Sequence, residues 1–179
     1  MMDDDAVARL TARLLKETEG AAMVLDAACL TELPAQREAL RRREGRVVIT
    51  PHAGEMASLM KMDKAEIEAD PLPVAIRCAR DLQVVTVLKG STTHIAAPDG
   101  RTWVNRHGSV GLATSGSGDT LAGIITAFLA RGAEPAQAAL WGVYTHAEAG
   151  ARLGRRVGKV GFLAREIPPE IPAILTDLS

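Results

Sequence analysis

Aromatic side chains are scarce in this chain of 179 residues, at 3% of the total, against 47% apolar and 24% charged residues. That mix excludes a disordered chain, a collagen-like repeat and a coiled coil. No single sign of charge dominates: 21 Lys plus Arg stand against 22 Asp plus Glu, a formal net charge of -1. The electrostatic case for a nucleic-acid or anionic-membrane partner is therefore missing. No uncharged apolar run approaches the ~18 residues that a membrane helix needs. The opening MMDDDAVARL is acidic and lacks the basic-then-apolar order of a secretory signal. Cys29 and Cys78 form neither a CxxC pair nor a disulfide framework, and are expected as buried free thiols of a reducing compartment. No internal repeat, low-complexity segment or linker divides the chain. A soluble, cytoplasmic α/β domain spanning 1–179 is the expectation, with length for one sizeable core.

Helix-like and strand-like segments alternate. Val7, Leu10, Leu14 and Leu15 mark one face of a helix ending near Gly20, and the short apolar run AMVLD follows. Pro34 opens a helical stretch that Gly45 closes, before VVIT at 47–50. A helix over 73–82 leads into VVTVL at 84–88. Three short apolar runs separated by helices predict a mostly parallel sheet. STTHIAA and RTWVN then flank Pro98-Asp99-Gly100, a turn tripeptide, so a hairpin adds an antiparallel edge. Leu121, Ile124, Ile125, Phe128 and Leu129 recur at helical spacing up to Gly132, where a C-cap belongs. Pro135 opens an Ala-rich helix, apolar nearly all round to Gly150, which needs cover on several sides. Pro168, Pro169 and Pro172 interrupt a last helix over 164–175.

Three stretches carry chemistry. Ser115-Gly116-Ser117-Gly118-Asp119 stands at the mouth of an amphipathic helix. Small residues let backbone amides approach a phosphate, and the helix terminus adds potential worth roughly 0.3–1 kcal/mol. Asp119 can face a substrate hydroxyl there, or it can simply cap the helix. Neither a Walker A loop nor a GxGxxG fingerprint is present. Leu88-Lys89-Gly90-Ser91-Thr92-Thr93 ends a buried strand, where ligands collect in open α/β sheets. Thr50-Pro51-His52-Ala53-Gly54-Glu55 places an imidazole and a carboxylate three residues apart at the same edge.

In this order, TPHAGE, LKGSTTHIAAPDG and GLATSGSGDTLAGI closely resemble the ADP/ATP-dependent NAD(P)H-hydrate dehydratases of the ribokinase-like superfamily. The resemblance runs from LDAACL to the terminal AREIPPEIPAIL. It implies a ribokinase-like, mostly parallel sheet flanked by helices, and nucleotide-dependent dehydration of hydrated NADH or NADPH back to the intact cofactor. Asp119 matches the catalytic aspartate acting on the substrate hydroxyl. Gly116, Ser117 and Gly118 match an anion hole, with Gly118 also beside the nucleotide. Lys89, Gly90, Ser91, Thr92 and Thr93 match the segment that binds ADP or ATP, and His52 a substrate-contacting histidine. Glu55 corresponds to a position that organises Mg²⁺ through water.

The chain departs from the family pattern at Ala53, where Pro is usual, and at Ala28, where a second Asp is common beside Asp26. It also opens just after the place where the family carries further strands and a GPGLG-like loop. The chain is thus expected to be the C-terminal, nucleotide-binding part of the domain and a poor dehydratase alone. An open apolar strand edge invites pairing with a second copy, so a homo-oligomer is expected. Two other readings stay open: a hydroxyethylthiazole- or hydroxymethylpyrimidine-type kinase, and a nucleotide-binding remnant without turnover. His94, His107 and His146 make no zinc set and are expected to be structural. Met56, Met60 and Met62 read as core or interface fillers. Arg41, Arg42 and Arg43 read as a solvated basic run at a helix end, and Trp103 and Trp141 as partly buried packing residues.

Overall fold

The apolar runs become β1 (Met23–Leu25), β2 (Val47–Ile49) and β3 (Val85–Leu88), which pair in parallel. The turn at 98–100 folds β4 (Thr93–Ala96) against β5 (Thr102–Asn105), and β4 lies antiparallel to β3. The result is one five-stranded mixed sheet in the order β1-β2-β3-β4-β5. The computed structural model describes residues 4–18 and 20–178, so Met1–Asp3 of the acidic opening lie outside the described residues.

Strand alternation assigns the two faces of the sheet. Val47, Ile49 and Leu88 point to one core, which they share with Leu40, Met56, Leu59, Ile67, Cys78 and Leu82. That layer comprises α1 (Asp4–Glu17), α2 (Arg37–Arg41), α3 (Ala53–Met60), α4 (Lys64–Ala69) and α5 (Pro71–Leu82). Val48, Val85 and Val87 point the other way, against Leu121 and Ile125 of α6 (Ser117–Ala130) and Val143 of α7 (Pro135–Arg156). Both faces are covered, so the central strands carry near-continuous apolar sequence. α8 (Ile171–Asp177) closes a smaller cluster with Phe162, Ile167 and Leu153.

The long Ala-rich helix α7 is buried on several sides, as its composition requires. It continues past Gly150 to Arg156. Gly142 permits the close approach of α6, because a Cβ there would stand 2.4 Å from Ile125 Cγ1. Four expectations need correction. The stretch from Pro34 to Gly45 is not one helix but a 3₁₀ turn (Leu33–Gln36) followed by the short α2, ended by positive φ at Glu44 and Gly45. On α1, Leu15 and Thr11 face inward, while Leu10 and Leu14 are exposed. Trp141 is likewise exposed, its ring edge-on to Tyr144.

Arg43 is the fourth correction: it is buried, not solvated. Its guanidinium donates to the carbonyl of Leu15, in the last turn of α1, and to those of Thr18 and Ala21 in the segment that follows it. Replacing it by Met keeps the apolar stem and removes the donor that serves the Leu15 carbonyl and ties it to Thr18 and Ala21. A loss of about 2 kcal/mol, or roughly 4–8 °C in Tm for a chain of this size, is expected in a thermal melt. The methionines behave as expected: Met56 is fully buried, and Met60 and Met62 pack beside it. Cys78 is buried and Cys29 partly so. Burial pushes the Cys78 thiol up to about 12. Native labelling with a thiol reagent near pH 8 should therefore modify Cys29 and spare Cys78; rapid modification of both would contradict this packing.

Candidate active site

Parallel pairing aligns the C-terminal ends of β1, β2 and β3: Asp26 and Lys89 directly follow β1 and β3, and His52 lies three residues beyond β2. A bridge pairs His52 with Lys89, and the Lys89 amide donates to the Pro51 carbonyl at 2.8 Å. TPHAGE and LKGSTT are thereby joined side by side. The first turn of α6 closes the group from above: a Cβ on Gly118 would lie 3.4 Å from Lys89 Nζ. The three stretches singled out in the sequence meet in one cleft.

At the start of α3, His52 Nδ1 accepts from the amides of Gly54 and Glu55 at 3.0 and 3.2 Å. Glu55 Oε2 accepts from the His52 amide at 2.8 Å, completing a reciprocal cap. Nδ1 is occupied as an acceptor, which leaves Nε2 as the donor nitrogen, 3.4 Å from Glu55 Oε1. Gly54 is required beside this ring, because a Cβ there would come 2.9 Å from His52 Cε1. Glu55 Oε2 also stands 3.9 Å from Lys89 Nζ.

α6 begins after Gly116, whose φ of +83° is left-handed and suits glycine. No side chain caps this end. Ser117 N–H donates back to Thr114 O at 3.2 Å and Thr120 N–H to Gly116 O at 3.0 Å. The amides of Gly118 and Asp119 take no partner among the described residues, whereas the Ser117 amide is engaged by Thr114 O. Asp119 is exposed on this turn, and no ion pair engages it among the described residues.

A cavity of about 770 Å³ runs from this turn along the end of the sheet. Ser117, Gly118, Lys89, Gly90, Ser91 and Thr93 line one side; Leu112, Leu121, Val143 and Ala147 supply an apolar wall. A second cavity of about 750 Å³ shares His52, Lys89, Gly90 and Ser91, and takes in Thr92, Lys64, His94 and Arg106. A site of this kind, apolar walls with few converging polar groups, suits a small ligand.

Sequence reasoning named several residues here without their partners. Asp26 forms an ion pair with Lys89, Oδ1 to Nζ 3.1 Å. His146, from α7, sets Nε2 3.0 Å from Ser117 Oγ and 3.1 Å from Ser117 O, beneath the helix start. Burial, helped by the charge on Lys89, pulls the His146 ring down to about 4. His146 thus supports the first turn of α6 through Ser117. His107 lines the larger cavity and bonds Glu148 at 2.6 Å. Burial opposes ionisation of Glu148, but hydrogen bonds from Arg152 and His107 outweigh it and hold that carboxyl low. His94 sits in the hairpin, where burial and the nearby Arg106 lower its affinity for a proton. An i, i+29 pairing such as Ser117–His146 leaves no local spacing signal, which is why pattern reading missed it.

A family model for NAD(P)H-hydrate dehydratase matches residues 2–173. The chain belongs to this family. An ADP-dependent (S)-NAD(P)H-hydrate dehydratase from Xanthomonas campestris is 53% identical over 156 residues, 87% of this chain and 52% of that protein. The chain thus spans about half the length of that relative. The Bacillus subtilis protein YxkO superposes with a TM-score of 0.88 at 31% identity, covering 98% of this chain and 63% of that one. An ADP/ATP-dependent NAD(P)H-hydrate dehydratase from B. subtilis, co-crystallized with ATP/Mg²⁺ and soaked with CoA, gives 0.80 at 33% identity, over 88% of this chain and 57% of that one. The ribokinase-like fold expected from the motifs is therefore the fold of this dehydratase family. Among the described residues, no helix is long and apolar enough to cross a membrane.

Proposed function

We propose that this chain carries the nucleotide half of an NAD(P)H-hydrate dehydratase site, in which ADP or ATP drives dehydration of hydrated NADH or NADPH. The observation that carries the reading is the convergence of Lys89, His52 and the open first turn of α6 in one cleft. Adenine and ribose occupy the larger cavity between the Gly90–Thr93 segment and the apolar wall of Leu112, Val143 and Ala147. The terminal phosphate meets the free amides of Gly118 and Asp119 at the positive end of α6.

Two steps follow. In the first, the hydroxyl oxygen on the damaged ring attacks the terminal phosphorus, the bond to the nucleotide breaks, and Asp119 takes the hydroxyl proton. In the second, the ring C–O bond breaks as phosphate departs with its electron pair, and water takes a proton from the adjacent carbon, whose C–H electrons restore the double bond. Phosphate leaves far more readily than hydroxide, which is the reason to spend a nucleotide. His52, through Nε2, contacts the substrate from the shared wall of the two cavities. Magnesium would arrive with the nucleotide phosphates and neutralise their charge, and Glu55 would be the carboxylate near enough to hold it through water; the described residues build no dedicated cage of three or more ligands.

The test is recovery of NADH from its hydrate by the 179-residue chain, with and without ADP or ATP and Mg²⁺. Slow recovery that depends on the nucleotide is expected, in keeping with a chain that carries only the nucleotide half of the site. Stoichiometric phosphorylation of a stable alcohol with no NADH restored would favour a kinase instead. A melting temperature that no nucleotide shifts, even at millimolar concentration, would count against the site altogether.

A further inference from the structure

The Lys89 ammonium is not free to wander in the cleft. Lys89 and Asp26 pair at 3.1 Å with side chains only 20% and 15% exposed. Asp26 stands at the start of a 3₁₀ turn, a capping position, yet its side chain accepts no capping bond. The next residue, Ala27, holds φ at +53°, a left-handed conformation that costs a non-glycine residue free energy. The backbone at the end of β1 is thus bent to aim this carboxylate across the sheet at Lys89 rather than at its own amides. On the far side, a Cβ on Gly118 would meet Lys89 Nζ at 3.4 Å and Asp26 Oδ2 at 3.9 Å. The pair therefore lies against the uncapped first turn of α6, beside the free amides of Gly118 and Asp119.

An exposed ion pair would contribute little; here the pair is mostly buried, and what it decides is direction. A lysine head on four methylenes has wide rotamer freedom, and its other nearby carboxylate, Glu55 at 3.9 Å, is already committed to the cap of α3. We propose that Asp26 is a positioning residue: it holds the Lys89 ammonium at the first turn of α6, where that charge meets the terminal phosphate of a bound nucleoside di- or triphosphate. The inference rests on the nucleotide reading above and adds the residue that orients its cation. A monophosphate, whose only phosphate adjoins the ribose, does not extend to this turn, so Asp26 should matter for ADP and hardly for AMP.

The experiment is calorimetric titration of the full chain with ADP and with AMP, in Mg²⁺. The unaltered chain is expected to prefer ADP. Asp26→Asn, isosteric but uncharged, should weaken ADP binding about tenfold and AMP binding less than about twofold. Lys89→Met should do the same, and the double variant should be no worse than Lys89→Met alone, since both remove one interaction. Lys89→Arg, which retains the pair, should keep most of the preference. If Asp26→Asn melts early, Asp26→Ser reads the same ratio. A parallel loss for both nucleotides would make the role of Asp26 merely structural, and an unchanged ratio would remove any role; either overturns the inference, as would an unaltered chain with no preference for ADP. A chain that shows the preference but restores no NADH from its hydrate would sink the dehydratase reading and leave this inference standing.

Discussion

Asp119→Asn is expected to lower NADH recovery by about 10²–10⁴-fold, the range typical of a lost general base, while ADP affinity and Tm stay close to those of the unaltered chain. The separation follows from where Asp119 sits. It is exposed on the first turn of α6, makes no ion pair among the described residues, and so holds little of the fold together. Its favourable interaction with the helix dipole is worth roughly 0.3–1 kcal/mol, and Asn keeps the size and some of the capping capacity. Against this, the expected rate loss corresponds to roughly 3–5 kcal/mol of barrier. The amides of Gly118 and Asp119, which would receive the phosphate, belong to the backbone and survive the substitution. Steady-state turnover, a melt and an ADP titration on the same preparation check all three. Near-normal recovery in the Asn variant would show that another group takes the proton; a matching loss of ADP affinity would show that Asp119 serves binding.

The parts of the fold that could be read in advance are those written in local pattern. The β-branched runs at 47–50 and 84–88 become the central strands, and Pro98-Asp99-Gly100 makes its hairpin. The Ala-rich helix from Pro135 is buried where its composition demanded. Reading failed where tertiary contacts overrode pattern. Leu10 and Leu14 lie on the outer side of α1 because Thr11 and Leu15 fill the inner one. Arg43 looked like part of a solvated run, since three consecutive arginines carry no sign of which one turns inward to serve the carbonyls of Leu15, Thr18 and Ala21.

The site divides in the same way. TPHAGE, LKGSTT and GSGD are contiguous stretches, so their convergence at the end of a parallel sheet could be anticipated from topology. Their supports could not. Asp26 reaches Lys89 across 63 residues and His146 reaches Ser117 across 29, pairings that exist only once β1, β3, α6 and α7 are packed. Supporting residues of this kind set the precision of a cleft, and they are the ones that a single sequence hides.

His146 makes that support measurable through pH. Its ring is nine-tenths buried and faces Ser117, and its affinity for a proton falls from the ordinary 6.5 to about 4 in the folded chain. The imidazole is thus kept neutral, and the unfolded chain binds a proton that the folded chain refuses. Stability from this group is fully present above about pH 6.5, falls as pH drops through the window, and levels off below about pH 4. The shift amounts to about 3 kcal/mol in all, of which about 2 kcal/mol should be gone by pH 5. His146→Gln cannot titrate, and its amide can still donate to the Ser117 carbonyl. Urea unfolding at pH 7 and pH 5 should therefore show a smaller loss in the Gln variant, by about 2 kcal/mol, whatever the variant's absolute stability. The comparison cancels the contribution of His94, which is also lowered by burial and is present in both proteins. Equal losses in the two proteins would mean that the ring is not held neutral beneath Ser117. A difference of the expected size would tie the start of α6, and the nucleotide cleft built on it, to one buried imidazole on α7.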